Sequence, residues 1–426
     1  MLNFLFYHTP VFYLIQSIWR DEAFSYYMAK PDIFHVIANT ANDFNPPLYY
    51  LLLHFWIFIA GKSDEFLRIL SFIPFILTVY FAYLFARRAF SKKFAFFVAT
   101  FTLLNPMLLV YSFEIRMYSL YAFFAMVSAY CLLRKNWKWY AVASVLGLYS
   151  HSFFAMIPVS YVFYYFLIKR LNKKTLWYLL NPFLFFLPWL PVLTVQFLHS
   201  GNSWIFPVDL QLINSVLGNL LTSYEGTPGH LWAYTAILSG IMLIFFLVGL
   251  IRDKKKSLLA LTPIFFTLIP VLGFSIIKRP IYVNRYMIFI TVFEILGISY
   301  GVWNIKNKML KNASMAFWLI LVLGVNLYLP PYHSKTDFKT AFREINKIAS
   351  TNDYVYSKTP IGFLESAYYF KNDGKVFVYN PNHISIPYYI GVNVVFPNAS
   401  KTTFPPYPAR TFLVNDDASY EMVINR

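Results

Sequence analysis

Long apolar runs separated by short basic clusters constrain this 426-residue chain more than any other feature. The clusters are Arg87, Arg88, Lys92 and Lys93; Arg134, Lys135 and Lys138; Lys169, Arg170, Lys173 and Lys174; Arg252, Lys254, Lys255 and Lys256; and Lys306, Lys308 and Lys311. Successive clusters are separated by enough apolar chain for an out-and-back pair of spans. Lys and Arg collect on the cytoplasmic side of a bilayer, so the spacing predicts a multi-pass membrane protein with all five clusters inside. The composition agrees, at 58% hydrophobic and 13% charged, against about 25% charged in a soluble domain. The net charge of +17 lies in these loops rather than in one basic patch, which argues against a nucleic-acid partner.

A transmembrane helix needs about 20 apolar residues. Eleven segments are expected to span: 2–18, 66–86, 94–112, 117–133, 139–150, 153–168, 176–196, 231–251, 258–277, 286–303 and 313–330. The run 2–18 has neither a basic leading region nor a small-residue cleavage site, so it reads as a short first span and not as a cleavable signal. A single cysteine, Cys131, excludes an intramolecular disulfide. With the basic loops inside, the outer segments become 19–65, 105–116, 151–152, 197–230, 278–285 and everything after 331. Leu48 to Ala60 is apolar, yet as a span it would place a basic cluster outside, so it is expected to lie on the outer leaflet as an interfacial helix. Trp139 to Ile168 supplies only about 45 Å of helix at 1.5 Å per residue, against about 60 Å for two passes. The turn at His151 is therefore expected below the outer surface.

After Pro330–Pro331 the composition changes. Phe338, Ala341, Phe342, Ile345 and Ile348 recur at helical spacing. Asp353–Ser357 and Lys375–Tyr379 read as strands with a helix over 363–370 between them. The predicted fold class is an all-α polytopic membrane protein of about eleven transmembrane helices carrying a small α/β extracytoplasmic C-terminal domain. The predicted domains are 1–330 and 331–426.

The acidic residues of the membrane part sort with this topology. Asp21, Glu22, Asp32, Asp43, Asp64, Glu65, Glu114, Asp209 and Glu225 fall outside, Asp253 inside and Glu294 within a span. Acidic residues contribute little to orientation, so the sorting is independent of the assignment and points to chemistry on the outer face. Trp19-Arg20-Asp21-Glu22 places two carboxylates directly after the first span; the alternative is a solvated loop pair that also caps a helix. Asn45-Pro46-Pro47-Leu48-Tyr49-Tyr50 fixes an extended entry into an apolar helix, with the Pro at its start. Glu114 and Arg116, next to Tyr118, sit between two apolar runs, where ionisable groups are costly and usually functional; a structural ion pair is the alternative. His151, between Ser150 and Ser152, is either a satisfied polar turn or a site. Lys278, Arg279 and Arg285 are cations on the outer side, against the general trend. They suit an anionic partner such as a lipid phosphate, or act as snorkelling anchors.

In this order, Asp21-Glu22-Ala23, Asn45-Pro46-Pro47-Leu48-Tyr49-Tyr50, Glu65-Phe66-Leu67-Arg68 and Glu114-Ile115-Arg116-Met117-Tyr118 resemble the motifs of GT-C membrane glycosyltransferases. The similarity is to the branch related to protein O-mannosyltransferases and aminoarabinose transferases. It covers roughly residues 15–170 and, more loosely, the spans to 330. Asn45 stands where many relatives have His. The resemblance implies a hexosyl- or pentosyltransferase in the cell membrane that uses a polyprenyl-phosphate sugar donor on the extracytoplasmic face. A lipid, glycan or protein would be the acceptor. By its place in the motif, Asp21 would be the general base. Glu22 would orient the acceptor or, with Asp21, bind a divalent cation, the only cofactor in view. Glu114 would hold Arg116 or contact the sugar. A phosphate leaving group needs positive charge more than a proton, which Arg116, Lys278, Arg279 and Arg285 could supply. Displacement by one base implies inversion. The alternative from another class is a multispanning transporter or lipid flippase, for which a repeated half is expected; the sequence has no internal repeat.

Overall fold

The computed structural model describes residues 2–199 and 204–425. Two compact units divide it. The first comprises Met1–Tyr13, Arg68–Val195 and Ser203–Tyr332; the second comprises Leu14–Leu67, Gln196–Asn202 and His333–Arg426.

The first unit is helical. Among the described residues, six helices are long and apolar enough to cross a membrane, and a bent pair makes a seventh. Local chemistry sets where they begin. Ser91, Asn105, Asn136, Asn172, Asp253 and Asn307 each precede a helix and accept a backbone N–H three residues on, satisfying one of the donors that a helix start leaves unpaired. Shorter helices occupy three further expected span positions, at Tyr118–Leu133, Trp137–Ser150 and Met156–Leu167. His151 lies in the turn between the last two.

Pro breaks the runs that periodicity alone would leave whole. The expected span 94–112 is two helices, Lys92–Leu103 and Pro106–Ser112, at 56° to each other. Pro106 cannot donate to the preceding turn, and Asn105 both caps the second helix and donates to Leu221 O at 3.0 Å. The expected first span 2–18 is not one helix. It splits into Leu2–Tyr7 and Val11–Ile15 around Thr9-Pro10, because Pro10 removes a backbone donor mid-run. Segment 176–196 lies within one span-length run, Lys173–Phe197, whose helical turns tighten locally near Asn181 and Pro188. Helix Leu210–Thr222 stands where only a loop was expected.

At the centre is Ile288–Trp303, every residue of which is buried except Trp303. Small residues allow its approach. A Cβ on Gly301 would lie 2.3 Å from Phe245 O, and one on Gly218 would lie 2.1 Å from Thr235 O. Helix Trp232–Arg252 therefore runs close against both Leu210–Thr222 and Ile288–Trp303. Glu294, on the central helix, is fully buried.

The second unit is α/β. Strands β1 (Tyr354–Ser357), β2 (Val376–Tyr379), β3 (Ser400–Lys401), β4 (Thr411–Val414) and β5 (Tyr420–Val423) form one sheet in the order β3-β2-β1-β4-β5. All neighbours are parallel except β4 and β5. Val355 registers with Val376 on one side and with Phe412 on the other. Helix Phe363–Tyr369 makes the crossover from β1 to β2, as parallel strands require. Helices Arg20–Ala29, Ile33–Ala41 and Leu48–Ala60 also belong to this unit. Its last segment begins at His333. The inclusion of Leu14–Leu67 follows from specific contacts: Tyr368 and Tyr369 hydroxyls donate to the Asp64 carboxylate at 3.1 and 2.7 Å, and Lys339 pairs with Asp64 and Glu65 at 3.1 and 2.9 Å.

Candidate active site

In the second unit, Trp19 is extended and helix Arg20–Ala29 starts immediately after it, with Asp21 and Glu22 in its first turn. Carboxylates suit that end of a helix dipole. The two then diverge. Glu22 is fully buried, accepts the Trp19 N–H at 3.3 Å, and pairs with Lys335 Nζ at 3.0 Å. Lys335 itself lies over the Trp19 ring, 5.5 Å from its centre. Asp21 keeps part of its side chain exposed and pairs with Arg20 Nε at 3.5 Å.

Helix Phe363–Tyr369 presents Glu365 to the same helix start. Glu365 is 6% exposed and Oε2 has no hydrogen-bond partner. Burial pushes its carboxyl up to about 8. Its own backbone amide, the Arg20 charge and the Arg20 amide offset only part of this, while the Asp21 charge adds to it. At neutral pH Glu365 therefore keeps its proton beside the helix start that carries Asp21. The Asn-Pro-Pro segment lies in this unit as well: Asn45 Nδ2 and the Tyr50 hydroxyl donate to Asp43 Oδ2 at 3.4 and 3.3 Å.

In the first unit, the chain turns tightly between Glu114 and Arg116, with Arg116 N–H donating to Glu114 O at 2.7 Å. Both side chains are about 7% exposed. Ser71 Oγ anchors the turn on Arg116 O at 3.2 Å, and the Arg116 guanidinium lies 5.9 Å from the Tyr118 ring centre. His151 stacks on Tyr121 at 4.8 Å and lies 5.5 Å from the Tyr286 ring; Tyr118 and Tyr286 are 6.5 Å apart. Arg285 lies over Trp204 at 5.0 Å. Tyr111 donates to Glu225 at 2.9 Å. This unit therefore gathers Arg116, Tyr118 and His151 with the Arg285–Tyr286 segment around an aromatic wall. Lys278 is different. It is exposed at the end of helix Lys254–Ile277, where a cation is favoured by the helix dipole alone. Arg279 follows it, half-buried.

The model of the dolichyl-phosphate-mannose-protein mannosyltransferase family matches residues 45–194. No curated protein matches the chain significantly by sequence. Two solved structures align with nearly all of it. One is ArnT from Cupriavidus metallidurans in the apo state, at 13% identity and TM-score 0.64, covering 94% of this chain and 89% of that one. The other is the same protein bound to undecaprenyl phosphate, at 13% identity and TM-score 0.63, covering 97% and 92%. The chain shares the fold of these two structures.

The expected cation site can be tested on its donors. Among the described residues, no three His, Cys, Asp or Glu side chains converge as ligands. Glu22 is already committed to Lys335 and Trp19, so the Asp21–Glu22 pair does not fit a divalent cation. Sequence reasoning passed over Lys335, Glu365 and Asp43. Lys335 and Glu365 lie more than 300 residues from Asp21, beyond any local pattern. Asp43 had a signal: it lies two residues before the Asn-Pro-Pro motif.

Proposed function

We propose that this GT-C chain is a glycosyltransferase of the cell membrane. It moves a hexosyl or pentosyl group from a polyprenyl-phosphate donor to an acceptor hydroxyl on the extracytoplasmic face, with inversion at the anomeric carbon. The observation that carries this reading is the split fate of the paired carboxylates. Glu22 is consumed by a helix cap and a lysine, while Asp21 stays partly open at a helix start. A partly exposed carboxylate can take the proton of an acceptor hydroxyl as it attacks. Glu22 and Lys335 act as positioning residues that fix the helix start.

Arg116 and Arg285 are the phosphate ligands in this proposal. Each is set against an aromatic ring, and a guanidinium pairs with phosphate oxygens through two parallel bonds. Glu114 holds the Arg116 turn; Tyr118 and His151 line the donor side; Lys278 and Arg279 add surface charge. Asn45 orients Asp43 in the second unit. The 1–330 segment is the catalytic membrane domain and 331–426 the outer domain. A transporter or lipid flippase is not favoured, since the sequence carries no repeated half.

The test is Asp21→Asn in purified protein supplied with a panel of polyprenyl-phosphate sugars, following release of the lipid phosphate. Loss of about 10²–10⁴-fold in turnover, with donor binding retained, is expected for a positioned base. Normal turnover would remove Asp21 from the mechanism.

A further inference from the structure

The first unit contains a basic cavity. Its volume is about 490 Å³, and it opens among the basic loops at Arg134–Lys138 and Lys169–Lys174. Lys135, Arg170 and Lys174 supply its charge, and no carboxylate lines it. Trp137 and Tyr178 stack at 5.1 Å and 12° to form one wall. Leu132, Leu133, Ile168 and Leu259 make an apolar floor.

Its two loops are built alike. Helix Tyr118–Leu133 ends with Lys135 at φ 54° and Asn136 N–H donating to Cys131 O at 2.9 Å. Helix Met156–Leu167 ends with Lys169 at φ 54° and Arg170 N–H donating to Tyr165 O at 2.9 Å. Gly is the usual occupant of that left-handed position, yet a lysine holds it in both loops. After each loop an asparagine, Asn136 or Asn172, caps the next helix. The helix capped by Asn172 then begins inside the cavity, bringing the positive end of its dipole to Lys174 and Thr175.

The three cations are not neutralised by acidic side chains. Among the described residues, none of Lys135, Arg170 and Lys174 pairs with a carboxylate. Asp253, which shares the field of Tyr164 with Arg170, is held by Lys256 at 3.0 Å and caps its own helix. The Lys174 ammonium lies 6.0 Å from the Tyr178 ring centre.

We propose that this cavity binds the phosphate of an anionic lipid, with the head group on Lys135, Arg170 and Lys174 and the first methylenes on the leucine floor. Basic pockets between spans hold such head groups elsewhere. None of the lining residues is among those assigned to sugar transfer, and the proposal does not depend on that reading.

The test uses the full chain in phosphatidylcholine nanodiscs. Phosphatidylglycerol, cardiolipin, a polyprenyl phosphate or inorganic phosphate is added separately, and bound ligand is counted by native mass spectrometry. Wild type should retain an anionic lipid at least fivefold more than the Lys135→Ala/Arg170→Ala/Lys174→Ala variant. A Lys254→Ala/Lys255→Ala/Lys256→Ala control should match wild type. If the triple alanine variant misfolds, Arg170→Gln/Lys174→Gln reads the same loss. The lipid arms show which carrier of the phosphate is preferred. Equal retention by wild type and the cavity variants overturns the proposal, as does saturation by inorganic phosphate with no preference for a lipid.

Discussion

Replacing Glu365 by Gln removes a titration that the fold makes unfavourable. In an open chain a glutamate ionises near 4.5, whereas in the folded unit burial holds Glu365 protonated up to about 8. Between those values the opened state releases its proton and the folded state keeps it. Folded stability therefore falls as pH rises through this window, by about 1.36 kcal/mol per pH unit. The full span is worth about 5 kcal/mol above pH 8, and about 3 kcal/mol at pH 7, as upper bounds set by complete burial. Glutamine keeps the shape and the neutral state but cannot ionise. The assay is hydrogen exchange of the Phe363–Tyr369 amides in the full chain, wild type against Glu365→Gln, at matched pH so that intrinsic exchange cancels. At pH 5 the two should coincide. At pH 8.5 the variant should be protected at least tenfold more than wild type. Protection curves that stay parallel from pH 5 to 8.5 would refute the reasoning, because Glu365 would then ionise alike in both states.

Three further outcomes are expected. Lys335→Gln removes the lysine that pairs with the buried Glu22 at 3.0 Å, which should lower the protection of helix Arg20–Ala29 by at most about 3–5 kcal/mol; unchanged exchange there would mean that other groups hold Glu22 in place. Asp353 is held down to about 2, because Arg410 and the Ser350 amide outweigh its burial. Its contribution is thus present above pH 4 and fades as pH falls through 2, so Asp353→Asn should cost about 2 kcal/mol at pH 7 and almost nothing at pH 2, read from sheet-amide exchange. Gly218→Leu forces a side chain against Thr235 O and should lower the thermal midpoint of the purified chain, whereas Gly240→Leu, with open space around its Cβ position, should not.

Much of the helical unit was legible because a span announces itself by length and apolarity. The starts were less legible: the span expected from residue 313 begins at Lys308, where Asn307 caps it. The strands at 354–357 and 376–379 were legible from short apolar runs, and the paired carboxylates from their rarity. Three things were not. Pro10 and Pro106 interrupt runs whose apolar content continues through them, so hydropathy alone hides the breaks. Helix Leu210–Thr222 is too short to signal a span, although Leu212, Ile213, Val216, Leu217 and Leu220 carry a helical period. Lys335, which pairs with Glu22, and Glu365, which lies by the same helix start, are more than 300 residues away, and contacts across that distance leave no periodic trace.

The buried Glu294 bears on how this chain is made. A carboxylate near the middle of a span costs about 2.5–3.5 kcal/mol when that helix enters a bilayer alone. Segment Asn284–Trp303, with a mean hydropathy of 1.6, has less apolar surplus to offset this than Gly229–Arg252, at 2.4. Its glycines fit only against helices that precede it, Gly297 beside Phe246 and Gly301 beside Phe245. During synthesis the central helix must therefore leave the insertion machinery into a waiting cradle of earlier spans rather than into lipid. A lesion in Trp232–Arg252 would then appear first as failed insertion of a segment some fifty residues downstream.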